Sequence, residues 1–243
     1  MKGKLMVDLR SIKALTFDVG GTVFDWHSSI VTALDKIAFD RGANIDKAQF
    51  ANQWRRQMFE RLADVRSGKL SWLNADKIHR DVLDDIAPAY PELGLTSTDK
   101  DDLNQIWHRL KIWPDAPDAI RRLRTRYTVV VLTVLSWAIA VDTSKLGGIE
   151  WDGILSCEFL GHYKPDSEAY QAGLRMLDVK PEEAIMVAAH YGDLRAAMKA
   201  GLYSAFVPRL GERGEGNITE TEPQPDFHIN ASNFHDLADQ LLT

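Results

Sequence analysis

The stretch that most restricts the fold is Leu15-Thr16-Phe17-Asp18-Val19-Gly20-Gly21-Thr22. Apolar residues Ala14, Leu15 and Phe17 run up to one carboxylate, and a Gly-Gly pair then breaks the chain. The pattern predicts a buried strand that delivers Asp18 to its carboxyl end, followed by a loop. In open parallel sheets that end faces the crevice where ligands bind. Glycines there let backbone N–H groups approach a ligand or a developing anion, and Thr22 adds a hydroxyl. Taken alone, the stretch is equally compatible with an Asp18 that only caps the turn, so the rest of the chain must discriminate.

A chain of 243 residues can hold one large domain or a core with an inserted second one. Its net charge of −6 argues against nucleic acid as a main partner, since phosphate binding needs a surplus of Lys and Arg. The single cysteine, Cys157, excludes an internal disulfide or a cysteine-built zinc cage and fits a reducing cytoplasm. The start, MKGKLMVDLRSIK, has no continuous apolar core for a signal peptide, and no window reaches the roughly 18 apolar residues of a membrane span. The expectation is a soluble cytoplasmic protein that meets neither nucleic acid nor membrane, in a form compatible with a homodimer.

Past the loop, Ser28-Ser29 reads as a helix N-cap, with Ile30, Leu34, Ile37 and Ala38 at helical spacing before Gly42. A second helix is predicted from Asp46, with Gln49 placed for a capping box and Phe50 and Trp54 one turn apart. Helical patterning continues to about Leu110 without a β-branched run, so residues 27–112 read as an all-helical insertion. After Trp113-Pro114-Asp115 comes a helix carrying Ala119, Ile120 and Leu123, then the continuous run Tyr127 to Thr133 expected of a central parallel strand. Further strands are predicted at 153–156, 184–188 and 203–207, with helices at 167–177, 193–200 and 233–242. The stretch from Gly211 to Pro225 reads as a surface loop. Alternating strands and helices imply an α/β fold: a Rossmann-like, doubly wound parallel core of residues 1–26 and 113–243 with a helical cap, 27–112.

Parallel strands place their carboxyl ends along one edge, where four groups arrive from separate parts of the chain. These are Asp18, Thr133, Lys164 in Gly161-His162-Tyr163-Lys164-Pro165-Asp166, and Asp193 in Ala189-His190-Tyr191-Gly192-Asp193. Each has a plain structural alternative: Thr133 as a strand residue, Lys164 as a solvated lysine, Asp193 as an N-cap, His190 as a loop histidine. Tyr170 sits at core spacing with Leu174 and Leu177, and Arg55 could be a surface arginine. Convergence of an acid, a hydroxyl, an amine and a second acid is harder to dismiss than any one of them.

The set resembles the haloacid dehalogenase superfamily, and within it the type II 2-haloacid dehalogenases. The resemblance rests on Asp18-x-x-x-Thr22, the helical insertion, Thr133, Lys164-Pro165-Asp166 and Asp193, in that order. Phe24-Asp25-Trp26, Trp54-Arg55, Tyr170 and the run 188–193 bring it closer to the dehalogenase branch. It implies a hydrolase of 2-halo carboxylic acids in which Asp18 attacks carbon, an ester to the enzyme forms, and water hydrolyses it. On this resemblance Lys164 keeps Asp18 ionised and Asp193 positions or activates the water, so Asp18, Lys164 and Asp193 form the catalytic set. Thr133 would help bind the substrate carboxylate, Arg55 would reach toward the leaving halide and Tyr170 would line the pocket, with Thr22 and His190 also on the substrate.

The chain departs from the superfamily's phosphatases at Gly20 and Ala189, where they carry a second Asp and a magnesium-binding Asp. With few oxygen ligands left, no metal and no other cofactor is expected. It departs from the dehalogenases too: Gly20 replaces a usual Tyr, Val134 an Asn, and His190 the commonest Asn. The alternatives carried forward are a magnesium-dependent small-molecule phosphatase and a non-catalytic small-molecule binding protein on this fold.

Overall fold

The computed structural model describes residues 7–217 and 219–243. The start of the chain, including the first part of the stretch read as lacking a signal peptide, lies outside them. Among the described residues the strands are β1 (Ala14–Phe17), β2 (Phe24–Asp25), β3 (Lys111–Ile112), β4 (Thr128–Thr133), β5 (Gly153–Ser156), β6 (Ala184–Ala188), β7 (Tyr203–Phe206) and β8 (Ile229–Asn230). The α-helices are α1 (Trp26–Arg41), α2 (Lys47–Arg66), α3 (Ala75–Ile86), α4 (Ser97–Asn104), α5 (Ala116–Leu123), α6 (Trp137–Leu146), α7 (Cys157–Leu160), α8 (Ser167–Leu177), α9 (Tyr191–Lys199) and α10 (Phe234–Leu241). No helix among the described residues is long and apolar enough to cross a membrane.

Six strands form one parallel sheet in the order β5-β4-β1-β6-β7-β8. The chain builds outward from β1 on one side, returns, and builds outward on the other, so the switch in winding falls at β1. Alternate residues of a strand face opposite sides, and both sides here are covered. Phe17, Val129, Val131, Ile185 and Val187 pack into one apolar cluster, while Val130, Leu132, Met186 and Ala188 pack into the other. Burial on both faces is why these strands read as unbroken apolar runs. Their carboxyl ends bring residues 18, 133 and 189 to one edge.

The helical cap is joined to this core by the short antiparallel ribbon of β2 and β3, in which Phe24 pairs with Ile112 and Asp25 with Lys111. Two-residue strands carry no periodicity, and the all-helical reading of 27–112 missed β3. Trp54, Trp107 and His79 fill the cap interior: the two indoles meet edge to face at 5.5 Å, and the His79 ring stacks on Trp107 at 3.8 Å. Cap and core also touch at the edge. Trp72 stacks on Tyr163 at 4.5 Å, Tyr163 donates to the Leu73 carbonyl at 2.7 Å, and Arg66 pairs with Asp166.

Several boundaries differ from expectation for local reasons. Asp25, not Ser28, caps α1, accepting from the Ser28 N–H at 3.0 Å. Asp46 does cap α2, accepting from the Gln49 N–H at 2.8 Å. Helix α9 begins at Tyr191, so Asp193 lies inside its first turn rather than at its cap. Helix α6, capped by Ser136, was not anticipated.

Trp54 is fully buried and its indole N–H donates to the His79 carbonyl at 2.8 Å. Trp54→Ala is expected to destabilise the protein by about 3–5 kcal/mol, read from the urea midpoint at unchanged slope.

Candidate active site

Asp18 leaves β1 at the sheet edge and is 6% exposed. Its Oδ1 accepts from Lys164 Nζ at 3.0 Å, and its Oδ2 accepts from the Thr22 hydroxyl at 2.7 Å and lies 3.2 Å from His190 Nδ1. Burial alone would raise its pKa, but the Lys164 charge and the hydrogen bonds from His190 and Thr22 hold the carboxyl well below the usual carboxylate range. Asp18 is therefore an anion at neutral pH although shielded from water. Thr22 is itself fixed, accepting from the Ala189 N–H at 3.0 Å. Its hydroxyl is thus engaged on both sides, by the Asp18 carboxylate and the Ala189 N–H.

Lys164 lies just ahead of α8 and bridges two acids, donating to Asp18 and, at 2.6 Å, to Asp193 Oδ2. Burial opposes its charge, yet the two carboxylates raise its pKa. Asp193 Oδ1 accepts from the Tyr170 hydroxyl. Tyr170 is fully buried, and burial together with the neighbouring Asp193 charge keeps its hydroxyl protonated. Tyr170, expected to line the pocket, is placed beside Asp193 as a donor to its carboxylate.

The cap contributes Arg55 from α2, 8% exposed. Its Nη2 donates to the Gly20 carbonyl at 3.0 Å, and its guanidinium sits 4.6 Å from the Phe59 ring centroid, 5.6 Å from Trp26 and 5.8 Å from Trp107. Its Nη1 is buried and has no hydrogen-bond partner in the protein. A Cβ on Gly20 would lie 3.0 Å from Arg55 Nη2, so a side chain there would require the guanidinium to give by a few tenths of an ångström.

Thr133 is at the end of β4 as expected, fully buried, but its hydroxyl oxygen accepts from the Leu135 N–H at 3.1 Å and braces the turn into α6. Asp18, Lys164, Asp193, Thr22, Tyr170, His190 and Arg55 are brought together around one carboxylate, whereas Thr133 is occupied with its own backbone. Among the described residues no group of three or more His, Cys, Asp and Glu side chains is arranged to hold a metal ion.

One participant was not foreseen. Glu212, in the stretch read as a surface loop, is 5% exposed and turned inward. It accepts from the Trp26 indole N–H at 3.0 Å, and its two oxygens lie 3.0 and 3.1 Å from His190 Nε2. Burial would raise its pKa, but the His190 charge and the hydrogen bonds from His190 and Trp26 lower it to about 2. Burial would likewise lower the pKa of His190; Glu212 and Asp18 overcome this and push it up to about 10. The site thus holds three carboxylates, Asp18, Asp193 and Glu212, against Lys164, Arg55 and His190.

The backbone of Gly21, at φ +97°, makes room for that acid: a Cβ there would fall 2.0 Å from Glu212 Oε1. Gly21→Ala is expected to lose about 1–2 kcal/mol from the backbone alone, plus the cost of displacing a buried carboxylate. Gly42, at φ +60° with open space around it, isolates the first term. Chemical denaturation of the two variants should show the larger loss for Gly21→Ala.

Comparison with known proteins gives concordant results. The family described as haloacid dehalogenase-like hydrolase matches residues 12–201. The (S)-2-haloacid dehalogenase 4A of Burkholderia cepacia is 28% identical over 239 residues, covering 92% of this chain and 91% of that protein. A crystal structure of an L-2-haloacid dehalogenase superimposes with a TM-score of 0.88 at 33% identity, covering 95% of this chain and 99% of the other. A defluorinating L-2-haloacid dehalogenase gives 0.89 at 32% identity, covering 96% of each.

Proposed function

Because the chain belongs to the haloacid dehalogenase-like hydrolase family, we infer that it releases halide from short 2-halo carboxylic acids by way of an ester on Asp18. The observation that carries this reading is the pairing of a buried anionic Asp18 with a buried Arg55 whose Nη1 has no protein partner. A carboxylate kept ionised at low exposure is a nucleophile without a full hydration shell to shed. An unpartnered guanidinium N–H is a donor suited to the anion that departs. Carboxylate oxygen attacks the carbon bearing halogen, the carbon–halogen bond breaks with its electron pair, and halide leaves beside Arg55. Lys164 and Thr22 hold the attacking group in place, and Lys164 with Tyr170 holds Asp193. The 27–112 segment acts as the cap that delivers Arg55, and Cys157, buried and pushed up to about 11 by that burial, is a structural thiol suited to a reducing cytoplasm.

A screen of halide release over short 2-halo acids, run beside a generic phosphatase assay, tests the reading. Sustained halide release unaffected by chelators is expected; phosphate release that depends on added magnesium, without halide, would overturn it.

Asp18→Asn is expected to abolish turnover with the fold intact, because the amide lacks the attacking anionic oxygen. Full activity in freshly purified protein, with deamidation excluded by mass, would remove Asp18 from the nucleophile role.

Arg55→Ala is expected to slow halide release about 10²–10³-fold. Arg55→Lys should fall between it and the parent, since an ammonium cannot reproduce the planar fork. Single-turnover halide release compares the three.

A further inference from the structure

Resting on the dehalogenase reading just given, we propose that Arg66 and Tyr163 are positioning residues for Lys164: the cap grips both ends of the turn that carries the lysine, and so sets how Lys164 meets Asp18. The turn is Tyr163-Lys164-Pro165-Asp166, closed by the Asp166 N–H donating to the Tyr163 carbonyl at 3.0 Å. Lys164 is one of its two central residues, and each end residue is bound to the cap. Tyr163 is fully buried, stacks on Trp72 at 4.5 Å with the rings 18° apart, and donates its hydroxyl to the Leu73 carbonyl at 2.7 Å. Asp166 accepts twice from Arg66, from Nε at 3.1 Å and from Nη2. A further tie lies beside them, where Asn74 donates to Glu158 of α7 at 3.0 Å. From the core side, the Lys164 N–H donates to the buried Cys157 sulfur.

The register of α2 makes one body of two grips. Arg55 and Arg66 both belong to this helix, and their spacing returns to within about 20° of the same face, about 16 Å further along. Arg55 holds the loop after β1 at the Gly20 carbonyl, and Arg66 holds the lysine turn at Asp166. One helix thereby spans the sheet edge and fixes the distance between the loop that follows Asp18 and the turn that carries its counter-charge. Lys164 has little slack, since its Nζ already reaches Asp18 at 3.0 Å and Asp193 at 2.6 Å. A shift of the turn by an ångström or so lengthens one of these beyond a hydrogen bond.

The consequence falls on the nucleophile. Asp18 is faced by Lys164 from the turn, by His190 and Thr22, and by Arg55 from α2; Lys164 is faced by Asp18, Asp193 and Cys157. Burial pushes the Asp18 carboxyl up, and Lys164 is the leading charge that opposes it. If the turn slackens, the opposing charge weakens while the burial remains. The carboxyl then rises toward the ordinary range, and less of it is anionic in mild acid.

The experiment is single-turnover halide release between about pH 4.5 and about pH 8, with the urea midpoint of each variant measured beside it. The parent should be flat across this window, because its Asp18 is ionised throughout. Arg66→Gln should bring an acid limb into it, with release at the acid end about 10-fold below the same variant's rate at the alkaline end. Asp166→Asn should show the same limb, and the double variant one no larger, since both act through one pair. Arg66→Lys keeps a cation opposite Asp166 and should restore most of the flat profile. Tyr163→Phe keeps the stack and loses only the hydroxyl bond, so its limb should be smaller and in the same direction. The Arg66 and Asp166 side chains are 27% and 31% exposed, so their variants are expected to stay folded. A lowered urea midpoint with a flat release profile would mark a merely structural tie and overturn the proposal. So would slowing that is equal at every pH, losses that add in the double variant, or an equal acid limb in the parent. Failure of the underlying dehalogenase reading is distinct: the parent would then release no halide at any pH.

Discussion

The ion triad of Asp18, Lys164 and Asp193 is the interaction on which the rest of the edge depends. Lys164 donates to acids that follow β1 and β6, at 3.0 and 2.6 Å, and all three side chains are nearly closed to solvent. Charges so placed are costly to desolvate, and they persist only when each has its partner and its remaining lone pairs are satisfied. Here Thr22 and His190 complete Asp18, and Tyr170 completes Asp193. Removing one member strands another, typically at about 3–5 kcal/mol, so the arrangement holds together as a set rather than as independent pairs. A carboxylate can be both ionised and nearly dry only inside such a set.

The second acid group reaches the site through the anchoring of its loop. Arg209 donates from Nε to the Thr22 carbonyl at 2.7 Å and from Nη1 to both Asp115 oxygens at 2.9 Å, with its guanidinium 4.2 Å from the Phe234 ring. Three residues on, the Glu212 N–H returns to the Arg209 carbonyl at 3.3 Å, so the turn that carries Glu212 inward starts from a fixed point. Gly214 then packs against the ring of His27, and Asn52 of α2 donates to the Arg213 carbonyl at 3.0 Å. A core loop is thereby joined to the cap, and the loop after β1 is gripped from both directions, by Arg209 at Thr22 and Arg55 at Gly20.

What could be read from the sequence follows from which signals are local. The strands β4, β5 and β6 and helix α8 were legible because burial on both faces, or on one stripe, writes itself into consecutive residues. Asp18, Lys164 and Asp193 were legible because strand ends convert sequence order into a shared edge. Glu212 was not: it sits among Gly, Arg and Glu in an irregular turn, and its partners Trp26 and His190 lie 186 and 22 residues away. No periodicity marks such a residue, and the only hint was an acid flanked by glycines free to adopt φ +78° and +85°. The two-residue ribbon β2 and β3 was invisible for the same reason, being specified by pairing across the whole cap.

The two glycines after Asp18 leave the space into which two charges reach from elsewhere in the chain. Gly20 has no side chain where Arg55 now lies, and Gly21 none where Glu212 now lies, with would-be Cβ contacts of 3.0 and 2.0 Å. One gap admits a cation from the cap and the other an anion from the core. The charges support one another: Arg55 is held by Glu212 and Asp18, and Glu212 by His190 and Arg55. A side chain added at Gly20 would push against the guanidinium, and one added at Gly21 would expel the carboxylate and leave His190 with Asp18 alone.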